Sequence, residues 1–289
     1  MTYRPSPIKR SRRTRAEIDV IRDAIYSVLA EDYPMTVRQV FYRLVSRGSI
    51  AKTEAEYKQT VCRLLTEMRR DGSIPWGWIT DFTRTMRKPR TFSGLEHAVQ
   101  ATAEHYRRAL WYDLDIRVEV WLEKDALAGV LYQETSRYDV PLMVTRGYPS
   151  LSFLHGAGEE IEEDGKPTFI YYFGDHDPSG VDIPRKVEAG LREFAPTTEI
   201  HFERVAVTPE QIERLGLPTR PTKATDSRSR TFDGESVEVD AILPRTLRAL
   251  CRRCIEGHLT ENVLRAHRAA EESERQLLTE WAASIGGAA

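Results

Sequence analysis

PTFIYYFGDHDPSG, residues 167–180, decides the fold. Five consecutive large apolar or aromatic residues, Phe169 to Phe173, do not alternate as a half-exposed strand would. Such a run fits a central strand covered on both faces, which is the habit of parallel sheets. The run stops at Gly174. Asp175, His176 and Asp177 follow, and Pro178 and Gly180 supply a tight exit turn. Working outward, RVEVWLE (117–123), VPLMVT (140–145) and EIHFERVAV (199–207) read as further strands. Between them KDALAGVLYQET (124–135) and segments near 150–162 and 181–193 read as helices. Strands alternating with helices predict an α/β fold, a Rossmann-like parallel sheet with helices on both faces.

Upstream the pattern changes. Ile18, Ile21, Ile25 and Leu29 recur at helical spacing and predict a helix over about 16–32. Pro34 breaks it, and Thr36 suits the N-cap of a second helix over about 37–47, closed by Gly48. A third helix is expected over about 54–70, with Tyr57, Val61, Leu64, Leu65 and Met68 on one face. Its outer face carries Lys58, Arg63, Arg69 and Arg70, a set suited to phosphate contact. SIPWGWITDFTR (73–84) reads as a short hairpin or wing, in which Asp81 and Arg84 position the wing, contact DNA or form an ordinary salt bridge. Three helices and a wing describe an N-terminal winged-helix domain of the helix-turn-helix class. The expected organisation is therefore a basic arm over 1–15, a DNA-binding domain over 16–91, a connecting helix within 92–114, the sheet domain over 115–207 and a loop with a helical extension over 208–289.

The 289 residues carry 42 Lys and Arg against 44 Asp and Glu, a net charge of −2 that hides a division. Residues 1–91 hold 19 basic and 10 acidic side chains, and the remainder holds 23 and 34. A basic front attracts polyanions through local charge, whatever the total. No stretch approaches the roughly 18 uninterrupted apolar residues of a membrane span. The basic N-terminus has no apolar run behind it, and three cysteines make no disulfide framework, so a cytoplasmic setting is expected. Cys251, Cys254 and His258 have the look of zinc ligands, but they fall in a helical segment with no fourth ligand.

Glu123 closes one strand, Asp175 closes another, and Asp177 follows two residues on. Ligands of parallel sheets bind beyond the C-terminal ends of the strands. Residues i and i+2 of an extended segment point the same way, so Asp175 and Asp177 can converge. Hard carboxylate oxygens on one side of a cleft suit Mg²⁺, which keeps several waters and also binds phosphate oxygens. Lys124, beside Glu123, either reaches phosphate near the metal or is a solvated lysine.

These residues resemble a known family. VEVWLEKDALAGVL resembles the first strand and helix of a Toprim domain, TRGYPSLS the turn after its second strand, and FGDHDPSG its Asp-x-Asp loop. With a winged helix in front, residues 16–207 are similar to the A subunit of DNA topoisomerase VI and to the meiotic double-strand-break transesterase. The resemblance implies that Glu123, Asp175 and Asp177 hold Mg²⁺, with Glu123 also available as general acid or base. It implies a homodimer cutting double-stranded DNA once per strand, with tyrosine and metal supplied by different subunits. The chain holds no P-loop, so strand passage would require a separate ATPase subunit.

The family cuts with a tyrosine in a motif like Arg-x-x-Tyr-Tyr. TVRQVFYRLV matches it, which implies Tyr42 as nucleophile and Arg38 as its cationic neighbour, with Phe41 in place of the first aromatic. Val37, Val40, Phe41, Leu44 and Val45 form the core-facing stripe of that helix, while Arg38 and Tyr42 are four apart on another face. Read without the resemblance, Tyr42 is a packing or stacking tyrosine, and Tyr57 is its rival. Three other readings stay open. One is a nuclease using water, similar to the nuclease subunit of the Wadjet plasmid-defence systems. Another is a primase-like Toprim polymerase. The last is a DNA-binding regulator without catalysis.

Overall fold

The computed structural model describes residues 13–79, 91–221 and 235–286. The chain divides into two compact units, with the boundary between Thr80 and Asp81. Most of the basic arm and both Asp81 and Arg84 lie outside the described residues.

The first unit is helical. Helix α1 (Arg15–Glu31) starts at a Thr14/Glu17 capping box, and α2 (Val37–Ser46) starts at a Thr36/Gln39 capping box. In each, the N-cap hydroxyl accepts an N–H that the helix leaves unpaired, and the third residue returns the bond. A wide π turn over Glu56–Val61 runs into α3 (Cys62–Arg70). Ile25, Leu29, Val40, Leu44, Val61, Leu64 and Leu65 close a core with no measurable exposure. The expected hairpin is absent from residues 73–79, and residues 80–84 lie outside the described part. Pro75 opens a 3₁₀ turn over Trp76–Trp78, whose Trp78 ring stacks on Tyr33 at 5.1 Å. The chain then makes a single bridge between Ile79 and Met35. A proline that cannot donate, followed by Trp-Gly-Trp, favours a tight turn over a ladder.

The second unit is α/β. After α4 (Leu95–His105), four parallel strands form one sheet: β1 (Arg117–Leu122), β2 (Leu142–Val144), β3 (Thr168–Phe173) and β4 (Ile200–Ala206). Their order is β2-β1-β3-β4. Helix α5 (Ala128–Thr135) links β1 to β2, α6 (Leu151–Asp164) links β2 to β3, and α7 (Pro178–Phe194) links β3 to β4. On one face Val118, Val120, Leu122 and Phe173 pack with α5 and with α9 (Pro244–Glu256). On the other, Trp121, Ile170 and Tyr172 pack with α6 and α7. The FIYYF strand is thus covered on both sides, as its composition requires.

Two expectations change in detail. Residues 208–236, expected as loop, contain a helix α8 (Pro209–Leu215), capped by Thr208 and Gln211. The presumed C-terminal extension is part of the second unit: α9 lies under the sheet, and α10 (Glu261–Gly286) pairs with α4. Among the described residues no helix is long and apolar enough to cross a membrane.

Candidate functional site

The sheet order creates a switch point between β1 and β3. From β1 the chain moves outward to β2, then returns to the other side of β1 for β3 and β4. The crossovers leave a crevice above the ends of β1 and β3, which is where ligands of open α/β sheets bind. Glu123 and Asp175 stand there. The Glu123 N–H continues the ladder to the Phe173 carbonyl at 2.9 Å, and its Oε2 accepts from the Asp175 N–H at 3.0 Å. Gly174 makes this approach possible: a Cβ there would lie 2.5 Å from Glu123 Oε2.

Asp175 is 7 % exposed. Its Oδ1 accepts from the Val239 N–H at 2.8 Å, and its Oδ2 lies 3.1 Å from Lys124 Nζ. Asp177 is the N-cap of α7, its Oδ1 accepting from the Gly180 N–H at 2.7 Å, with Pro178 in the first turn. Gly180 is fixed by contact: a Cβ would stand 2.1 Å from the Asp175 carbonyl oxygen. The structure therefore brings Glu123 and Asp175 together, with Asp177 near enough to act on Glu123 electrostatically. Among the described residues no group of three or more His, Cys, Asp or Glu side chains is arranged as a ready metal site.

Burial raises the Glu123 carboxyl to about 7, and the charges of Asp175 and Asp177 push the same way. Asp175 is also raised, by burial above all, although Lys124 opposes it. Buried, mutually repelling carboxylates are a donor set that a divalent cation relieves, so the residues fit Mg²⁺. A group that favours its protonated form in the fold gives up that stability as pH climbs from its ordinary value to its folded one. The metal-free protein should therefore lose stability between about pH 4.5 and 7, by ~3 kcal/mol at most from Glu123. Thermal melts in EDTA across that range should show the slope, and Glu123→Gln should flatten it; equal slopes would rule the effect out.

Lys124 does not present its ammonium as an open phosphate contact. It faces Asp175, Glu238 and Asp240 at 3.1, 3.1 and 2.7 Å. Glu238 and Asp240 were not among the expected residues. They arrive because the strand-like segment after residue 235 folds back over the site, bridging Val237 to His176 and Ser236 to Arg220. Arg220 pairs with Glu238 at 2.7 Å. Arg204 on β4 binds the carbonyls of Asp175, Gly180 and Val207, and so pins the loop from below. The one available signal was VEVD (237–240), where acids alternate with valines at the spacing of a strand edge.

The chain matches no family model and no curated protein.

In the first unit Tyr42 is 5 % exposed and packs beside Phe41, with Lys52 Nζ 5.6 Å from its ring centroid. The Arg38 guanidinium lies over the Tyr57 ring at 4.6 Å. Tyr57 is half-buried, and desolvation raises its phenol. Lys58 and Arg63 are exposed and pair with Glu54 and Glu67 along their own helix. Arg69 lies over Trp76, and Arg70 is exposed. Cys251 is buried in the sheet core, and the His258 ring nitrogen pairs with the Tyr171 hydroxyl at 2.6 Å.

Proposed function

We propose that the chain is a Mg²⁺-dependent enzyme that cleaves double-stranded DNA by tyrosine transesterification, of the topoisomerase VI A-subunit type. On this reading the first unit is a winged-helix domain and the second a Toprim domain. The observation that carries it is the meeting of Glu123 and Asp175 at the switch point of a parallel sheet, with Asp177 two residues on.

Glu123, Asp175 and Asp177 would hold the ion. When bound, Mg²⁺ supplies charge neutralisation at the phosphate and the leaving oxygen. The Tyr42 phenol gives up its proton, its oxygen bonds to phosphorus, and the bond from phosphorus to the 3′ oxygen breaks. That oxygen takes a proton, which leaves a 3′ hydroxyl and a 5′-phosphotyrosyl link. A carboxyl held near neutrality, as Glu123 is, suits proton transfer at physiological pH. Lys58, Arg63, Arg69, Arg70 and Arg84 are the proposed phosphate contacts, with a homodimer as the working form and a separate ATPase subunit where strand passage is required.

A second reading, hydrolysis by water, is favoured by one observation: Tyr42 is almost fully buried. Supercoiled plasmid incubated with the protein separates the two. Transesterification needs Mg²⁺ and gives 5′ ends that accept labelled phosphate from a kinase in neither native nor phosphatase-treated DNA. Hydrolysis gives ends that label after phosphatase. Intact plasmid in Mg²⁺ would leave DNA binding without catalysis.

A further inference from the structure

Around Lys124 the structure has already built a cation site. Its ammonium is enclosed by Asp175, Glu238 and Asp240, at 3.1, 3.1 and 2.7 Å, and all three carboxylates are at least nine-tenths buried. At that depth three carboxylate oxygens surround one positive charge, and that charge is a side chain of the protein. Asp240 is 2 % exposed, one oxygen meets Lys124, and the other has no hydrogen-bond partner among the described residues. A buried carboxylate oxygen without a donor carries a desolvation cost, which the neighbouring ammonium offsets.

We propose that Lys124 is a resident second cation: the site takes one divalent ion, on Glu123, Asp175 and Asp177, and Lys124 stands where two-metal phosphoryl-transfer sites place the other ion. The inference rests on the proposed metal site and adds the count of ions and the reason for it. Two-metal sites bridge their ions, about 3.5–4 Å apart, through a shared carboxylate. Asp175 would be that carboxylate here: its Oδ2 faces Lys124, and its backbone N–H holds Glu123 beside it. Lys124 acts through Asp175, as a positioning residue that holds the Oδ2 of this carboxylate at 3.1 Å.

The test is the stoichiometry of Mn²⁺ bound to the full chain without DNA, read by calorimetry and by the electron paramagnetic resonance of free Mn²⁺. The wild type should bind one ion. Lys124→Met should empty the cage and bind two, and adding Asp240→Asn to it should restore one. Asp240→Asn alone should keep one ion with affinity within a few-fold of wild type, and this arm stands even if Lys124→Met fails to fold. Two ions on the wild type, one on a folded Lys124→Met, or loss of the ion in Asp240→Asn would each overturn the proposal. No ion on the wild type with one on Lys124→Met would sink the Glu123 site and leave the cage standing. None on either would sink both.

Discussion

Asp175→Asn should abolish Mg²⁺-dependent DNA cleavage while leaving the fold intact. Asparagine keeps the shape of aspartate, and its carbonyl oxygen can still accept the Val239 N–H that now binds Oδ1 at 2.8 Å. Lys124 keeps Glu238 and Asp240 as partners. What disappears is the buried negative charge that faces Lys124 beside Glu123, and with it the charge proposed to attract a divalent ion. Losing a preorganised electrostatic group of this kind costs about 10³-fold in rate, or more. Initial cleavage rates with circular dichroism on the same samples will check this. A folded variant that cuts at the wild-type rate would remove Asp175 from the chemistry.

Gly180→Ala should be nearly as damaging through geometry alone. The added Cβ would stand 2.1 Å from the Asp175 carbonyl oxygen and 2.8 Å from its carbon, both backbone atoms of the loop that carries the site. Neither can swing aside as a side-chain tip can. Arg204 holds the same carbonyl, and Asp177 ties its own carboxylate to the Gly180 N–H. The start of α7 must therefore move away from Asp175. Forcing one methyl into such a contact costs about 3 kcal/mol. A displacement near 1 Å at reacting groups can cost about 10²-fold in rate. Urea unfolding and cleavage rates measured together will show it, and a variant with wild-type values for both would mean that the loop is looser than its contacts imply.

The parallel sheet was legible because its signal is local. Phe169 to Phe173 form an apolar run suited to cover on both faces, and the neighbouring β1 carries its own run from Val120 to Leu122. Helix starts were legible for the same reason: Thr36 needs only Gln39, three residues away, to close its box. The meeting of Glu123 and Asp175 was legible because each follows the end of one of two neighbouring strands. Glu238 and Asp240 were not, because nothing local brings them to Lys124. They depend on isolated bridges from Val237 to His176 and from Ser236 to Arg220, contacts with no periodicity. Helix α8 hid behind its opening proline and a run of turn-forming residues just after it. The pairing of Arg38 also eluded the sequence. Four-residue spacing sets it near Tyr42, whereas its guanidinium lies over Tyr57, a contact between separate helices that no spacing within one helix encodes.

The central claim is that a tyrosine of this chain, acting with a carboxylate-bound Mg²⁺, becomes joined to DNA. Supercoiled plasmid, Mg²⁺ and protein, quenched with SDS and assayed for DNA covalently bound to protein, test it most directly, with Tyr42→Phe run alongside. The account predicts a 5′-linked adduct in the wild type that is absent from Tyr42→Phe. Cleavage with free ends, unchanged by Tyr42→Phe, would contradict it and assign the carboxylate site to a nuclease that uses water.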